Sequence, residues 1–210
     1  MALIICILAG GESKRFGRSK LQVNVDRTPL LQWLREKHSI LQPDAWWLSL
    51  GPDQQHPKGA ELYDRIIVDE DSHQGPLHGI AALLHAAKPG DALIVLPADM
   101  PLVKTELLQV LGNCLNLSEQ QAGIMCKWAL GEKAGRIEPF PSAWRGGVAQ
   151  KIVDKAIAEG KGGPSQIADS PSIGKTFLHF EEDEIQFRNF NKQSDLKPLG
   201  ELAGLTLTVG

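Results

Sequence analysis

Residues 2–8 are almost wholly apolar and rich in isoleucine, and they run directly into Ala9-Gly10-Gly11. A strand without polar alternation must be covered on both faces, which points to a parallel sheet sandwiched between helices. The glycines then form the turn. Both can adopt backbone angles closed to other residues, and neither carries a side chain, so a base or phosphate can come close to the main chain. Lys14, Arg15, Arg18 and Lys20 follow, opposed locally only by Glu12, in a chain whose formal net charge is -3. Positive charge is thus gathered where a sheet edge would focus it on an anion. The plainer alternative is a surface loop with solvated cations.

Spacing separates this loop from two better-known glycine motifs. A P-loop requires a glycine five residues before Gly-Lys-Ser/Thr, and although Gly174-Lys175-Thr176 has that ending, the earlier position is Asp169. Nor do Gly10, Gly11 and Gly17 fit the G-x-G-x-x-G of dinucleotide-binding folds.

Beyond the loop, apolar runs alternate with helical periodicity. Helices are expected over residues 30–41, 77–87 and 103–117, and strands over 46–50, 65–68, 92–96 and 122–126. This β-α alternation predicts a mostly parallel sheet with ligands at the carboxyl ends of its strands. After Trp128, Gly131, Gly135 and Pro139-Phe140-Pro141 suggest turns in a hairpin-like excursion, followed by a helix over 147–159. Residues 160–165 form a loop opening a short helix, with Ser165 as candidate cap or anion contact, and 175–190 return to strand. No linker divides the 210 residues, so this half belongs to the same sheet.

Composition excludes several classes. The mildly acidic balance and the lack of a basic face outside the loop argue against nucleic acid as a partner. Residues 2–11 are too short for a membrane span and have no basic leader, so neither an anchor nor a signal peptide is expected, and the cytoplasm is the expected location. Cys6, Cys114 and Cys126 are widely spaced and read as free thiols of a reducing compartment. None of the six histidines shows zinc-type pairing.

Asp99 follows the 92–96 strand and lies between Pro97 and Pro101, which restrict the backbone around it. Its carboxylate could hold Mg²⁺, or it could cap the helix starting near Val103. Asp69 ends the strand at 65–68 but is followed by Glu70 and Asp71, so a solvated acidic loop is the competing reading. Pro76 suits the first turn of a helix, whereas Gly75 and Gly79 around it permit close approach by something else. Asn189-Phe190-Asn191 would put both amides on one side of an extended segment, as ligands or as turn formers. Trp46-Trp47 and residues 140–144 are either core or partner surface.

In combination these elements resemble the molybdenum cofactor guanylyltransferase family. The resemblance rests on Leu8-Ala9-Gly10-Gly11-x-Ser13-x-Arg15-Phe16-Gly17-x-x-Lys20, Asp69, Gly75-Pro76-Leu77-x-Gly79-Ile80, Asp99-Met100-Pro101 and Asn189-Phe190-Asn191 with Asp195-Leu196. It implies a three-layer α/β/α fold with a Rossmann-like, mostly parallel sheet of the nucleotide-diphospho-sugar transferase type. Residues 1–196 would form one nucleotidyltransferase domain and 197–210 a C-terminal extension. The implied reaction transfers GMP from GTP to the phosphate of molybdopterin or the molybdenum cofactor, releasing pyrophosphate. Leu8, Ala9, Gly10, Gly11 and Asp69 would bind the guanine nucleotide, Arg15 and Lys20 its phosphates, and Asp99 the Mg²⁺. Gly75 and Gly79 would line the nucleotide side, and Asn189 and Asn191 would sit near the metal or the acceptor phosphate. Lys20, Arg15 and Asp99 are the implied catalytic residues, and molybdoenzymes or their chaperones the implied further partners. The loop around Gly162–Ser165 matches a less regular family segment near the pterin.

The chain departs from the family pattern where Lys192-Gln193 replaces the usual Thr-Pro, at the unusual neighbours of 74–78, and at Asp26-Arg27-Thr28 before Pro29-Leu30, where a glycine is common. A cytidylyltransferase or sugar-phosphate nucleotidyltransferase of the same fold is the enzymatic alternative. A non-catalytic nucleotide-binding protein that hands on the cofactor is the other.

Overall fold

The computed structural model describes residues 1–10, 16–17, 19–52, 54, 56–69, 74–179 and 181–210, with backbone only for 181–183. In chain order the strands are β1 (Leu3–Leu8), β2 (Val23–Val25), β3 (Thr28–Pro29), β4 (Ala45–Leu50), β5 (Arg65–Val68), β6 (Ala92–Pro97), β7 (Gly123–Trp128), β8 (Ile137–Arg145), β9 (Ile173–Leu178) and β10 (Leu207–Val209). The α-helices are α1 (Leu30–Lys37), α2 (Pro76–Ala86), α3 (Thr105–Asn116), α4 (Val148–Ala158) and α5 (Leu196–Ala203).

Seven strands form one sheet in the order β5-β4-β1-β6-β8-β7-β9. All neighbours pair in parallel except β8, which runs antiparallel to both β6 and β7. The period-two alternation of the strands builds two cores. From β1, Ile5 and Ile7 enter one layer with the leucines of α1, α3 and α5, while Ile4, Cys6 and Leu8 enter the other with α2 and α4. The same split divides Ala92, Ile94 and Leu96 of β6 from Leu93 and Val95. With both faces covered, these strands have no place for polar residues, which accounts for the unbroken apolar runs. The architecture is three-layer α/β/α.

Strand order reverses at the centre. From β1 the chain moves outward through β4 to β5, then crosses by α2 to place β6 on the other flank of β1. A crevice opens at such a switch point, beyond the carboxyl ends of the two strands.

Several sequence expectations shift. Pro139 and Pro141 lie within β8, not in a turn; the ladder between β6 and β8 covers only 142–145 of β8, and the β7–β8 register shifts between Ile124 and Cys126, so neither proline interrupts regular pairing on both sides. The turn falls at Gly131 and Gly135, as their glycines suggested, both at positive φ. Strand structure in 175–190 ends at Leu178, and residues 181–187 form a 3-10 helix. Gly163, not Ser165, holds the cap position of the 3-10 turn Pro164–Ile167. Trp46 and Trp47 are both core residues.

Residues past α5 return to the body of the protein. β10 pairs antiparallel with β2 in a small sheet of order β10-β2-β3, and Leu196, Leu199 and Leu207 join the core beneath Phe16 and α1.

Candidate active site

The crevice at the switch point is a cleft of about 270 Å³, lined by Leu8, Ala9 and Gly10 from the end of β1, by Asp99 beyond β6, and by Lys20 and Asn189. Backbone hydrogen bonds continue the strand ladder just far enough to position it: the Ala98 N–H donates to Leu8 O (3.0 Å) and the Ala9 N–H to Ser49 O (2.9 Å). Gly10 runs beside the end of β4, where a Cβ would lie 3.2 Å from Gly51 N.

Lys20 joins the parts. Its Nζ donates to Asp99 Oδ2 and to Asn191 Oδ1, each at 2.8 Å, with the lysine and aspartate side chains about one-fifth exposed. Asn191 Nδ2 in turn donates to Asn189 Oδ1 (3.2 Å), so both amides of the Asn-x-Asn motif face one another, as the alternation requires. Behind them Phe190 is fully buried; its ring lies 5.8 Å from that of Phe16 and 6.0 Å from Lys20 Nζ, and its N–H donates to Asp99 O (3.1 Å). Phe16 and Lys20, Asp99, and residues 189–191, from three distant stretches of chain, therefore meet in one contact set. Asp99 is not a helix cap: α3 begins at Thr105 with Lys104 in the cap position.

Other expected residues occupy different positions. Asp69 lies at the carboxyl end of β5, buried, its N–H donating to Leu50 O (2.8 Å). Gly75 and Gly79 are absent from the cleft lining, which takes Pro76 from that helix instead. Each glycine has a packing reason. At Gly75, with φ of +110°, a Cβ would lie 2.4 Å from Gly162 O, and the Leu77 N–H donates to that same oxygen (2.9 Å). A Cβ on Gly79 would come within 2.6 Å of Leu8 Cδ1, so this glycine lets α2 settle onto the end of β1. Gly11 and Arg15 lie outside the described residues, as do Glu12, Ser13, Lys14, Arg18, Glu70 and Asp71.

The cleft also contains Leu21, which sequence reasoning did not single out, and Phe140, which it assigned to core or partner surface. Phe140 sits in the proline-flanked part of β8 that the sequence presents as a turn, and no local signal points it toward the cleft.

The donor set suits a hard cation. Asp99 offers a carboxylate and Asn189 and Asn191 carboxamide oxygens, the donor type of Mg²⁺, which commonly takes one or two carboxylates plus substrate phosphates, while Asp99 Oδ2 and Asn191 Oδ1 here accept from Lys20. No group of three or more His, Cys, Asp or Glu residues that could hold a metal occurs among the described residues, so phosphate oxygens would have to complete the shell. No helix among them is long and apolar enough to cross a membrane.

Known proteins share this arrangement of elements. The crystal structure of molybdopterin-guanine dinucleotide biosynthesis protein A from Archaeoglobus fulgidus superposes with a TM-score of 0.70 at 24% identity, covering 96% of this chain and 98% of that one. The 4-diphosphocytidyl-2C-methyl-D-erythritol synthase of Anaerococcus prevotii superposes with the same TM-score of 0.70 at 15% identity, covering 96% and 98%. The fold alone thus spans proteins with different names. Sequence narrows it. The molybdenum cofactor guanylyltransferase of Cereibacter sphaeroides is 32% identical over 204 residues, 93% of this chain and 94% of that one. Residues 5–170 match the MobA-like NTP transferase domain, and because that match takes in the loop, the switch point and Asp99 together, the chain belongs to the MobA-like NTP transferase family of nucleotidyltransferases.

Proposed function

We propose that this protein is a molybdenum cofactor guanylyltransferase: the terminal phosphate of molybdopterin, with or without molybdenum, attacks the α-phosphorus of GTP and displaces pyrophosphate. One P–O bond forms to the acceptor phosphate as the bond to the β-phosphate oxygen breaks. The observation that carries this reading is Lys20 Nζ at 2.8 Å from both Asp99 Oδ2 and Asn191 Oδ1 beside the cleft at the β1/β6 switch point.

A phosphate nucleophile is already ionised near neutral pH, so the transfer needs no general base. It needs positioning and neutralisation of charge. Lys20 supplies a donor already fixed in place, at no reorganisation cost when charge develops on the α-phosphate and the leaving group. Gly10 brings main-chain N–H groups within reach of the nucleotide, with Asp69 assigned to its guanine and Arg15 to its phosphates. Asp99, aided by the Asn189 and Asn191 carboxamides, would hold Mg²⁺, whose chemistry is to neutralise phosphate oxygens and orient them.

The test is pyrophosphate release by the purified protein with Mg²⁺, molybdopterin and each of the four nucleoside triphosphates in parallel. Release with GTP alone is expected. Release with CTP would reassign the base, and tight nucleotide binding without release under any condition would overturn the transferase reading.

A further inference from the structure

The segment after Asn191 is where the chain departs from its family, with Lys192-Gln193 in place of Thr-Pro, and it forms the 3-10 turn Gln193–Asp195. Two side chains of this one turn reach back toward the site. Asp195 Oδ2 accepts N–H groups from both Asn191 and Lys192, each at 2.8 Å. Gln193 Nε2 donates to the carbonyl of Phe16 (2.9 Å), the residue that follows the glycine loop and whose ring packs at a tilt against Phe190.

A carboxylate that reaches back to the residue capping its own turn is ordinary helix-start chemistry, and this explains the bond to Lys192. It does not explain the bond to Asn191, one residue further back, whose side chain holds Lys20. Nor does capping explain Gln193, whose partner lies 177 residues away in sequence. The two backbone N–H groups hold the Asp195 carboxyl below its ordinary range.

We infer that Asp195 is a positioning residue for Lys20, acting through Asn191, and that Gln193 fixes the other end of the same lever by holding the root of the loop at Phe16. The chain of contact runs from Asp195 Oδ2 to the Asn191 backbone, from Asn191 Oδ1 to Lys20 Nζ, and from Lys20 to Asp99 Oδ2. Neither residue lines the cleft. Together they set where the lysine stands before the nucleotide arrives. This inference rests on the function proposed above for the same cleft.

A double-mutant cycle separates positioning from simple capping. Asp195→Ala is expected to lower kcat/KM for GTP about ten-fold, the scale of losing two charge-assisted hydrogen bonds in part replaced by water. In a Lys20→Ala background the same change should cost less than about two-fold, because its effect passes through the absent lysine. Equal losses in both backgrounds, or no loss in either, would overturn the inference. Gln193→Leu is expected to raise KM for GTP about five-fold with kcat little changed, and Gln193→Lys, whose ammonium can donate to the same carbonyl, should restore it. A rise that the lysine does not reverse would count against the Gln193 arm.

Hydrogen exchange without ligand provides a readout that does not depend on the reaction. Amides of residues 19–22 should exchange faster in both Asp195→Asn and Gln193→Leu than in the wild type, with melting temperature unchanged. Unaltered exchange would overturn the positioning role. A wild type that neither binds nor turns over GTP would overturn the function instead, leaving the exchange result to be read by itself.

Discussion

Lys20 and Arg145 are both cations drawn largely out of water, and they stand at opposite ends of the same sheet. Lys20 sits beyond the carboxyl ends of β1 and β6, beside a cleft, and its ammonium faces Asp99 and Asn191. Arg145 pairs with Ala92 at the amino end of β6 and is 4% exposed. Its guanidinium donates to carbonyls: Leu115 O (2.5 Å), Gln121 O (3.4 Å) and Ser118 O (3.5 Å). No carboxylate among the described residues pairs with it. Leu115 lies in the last turn of α3, so the charge meets the negative end of that helix. Arg145 thus spends its donors on backbone carbonyls, of which Leu115 O belongs to a buried residue. Lys20 keeps its charge on polar side chains that border a cleft, where phosphate oxygens can take their place. A buried cation becomes functional through the partners it can exchange, not through burial as such.

Mutations at the two ends should therefore fail in opposite ways. The largest effect is expected for Lys20→Ala, which should slow pyrophosphate release by about two to three orders of magnitude, the range for removing a preorganised donor, while the melting temperature holds. Asp99→Asn keeps the side chain's shape but removes its charge; a loss of about two orders of magnitude is expected, with more Mg²⁺ needed for half-maximal rate. Arg145→Met should do the reverse, costing about 2–3 kcal/mol in denaturant unfolding as carbonyls lose their donors, with an unchanged rate per folded molecule. Loss of activity without loss of stability in that variant would break the contrast.

The smallest effect concerns His38, fully buried at the end of α1. The Thr105 hydroxyl donates to Lys37 O (3.3 Å), so the His38 ring donates from Nδ1 to that hydroxyl (2.9 Å), and its Nε2 has no partner among the described residues. Burial, then the neighbouring Lys37 charge, lowers its pKa from 6.5 to about 3. Between these values the unfolded chain binds a proton that the fold refuses, so stability should fall as pH drops from about 6.5 toward 3. His38→Gln should flatten that slope in urea titrations without moving the pH profile of pyrophosphate release. A shifted activity profile would bring His38 into the site.

Local chemistry made much of the fold legible. β1, β4 and β6 were readable nearly to the residue, because strands buried on both faces leave an uninterrupted apolar trace, and residues 65–68 were readable to the residue from their β-branched run, although that edge strand buries only Ile67. The antiparallel β8 was not readable, since its prolines carry a turn signal that is tolerated only because neighbouring ladders stop short of them. The small sheet of β2, β3 and β10 was equally hidden: strands of two or three residues leave too little periodicity. Lys20, Asp99, Asn189 and Asn191 were marked as candidates by residue type and position, and their expected roles came from the family resemblance. Gly75 and Gly79 were noticed as exceptions to helix chemistry, but the surfaces they accommodate, Gly162 and Leu8, are contacts that only folding creates.

By itself the sequence determined the parallel α/β class, the loop that gathers charge after the first strand and the family to which the motifs belong. These follow from short-range rules, in which each residue's tendency depends on neighbours a few positions away. Tertiary structure decided that Lys20 would meet Asp99 and Asn191, 79 and 171 residues distant, and that Arg145 would be consumed by carbonyls at the opposite edge. The physical reason is that both outcomes are set by the order of strands in the sheet. That order fixes which chain ends converge at the switch point, and no local interaction encodes it.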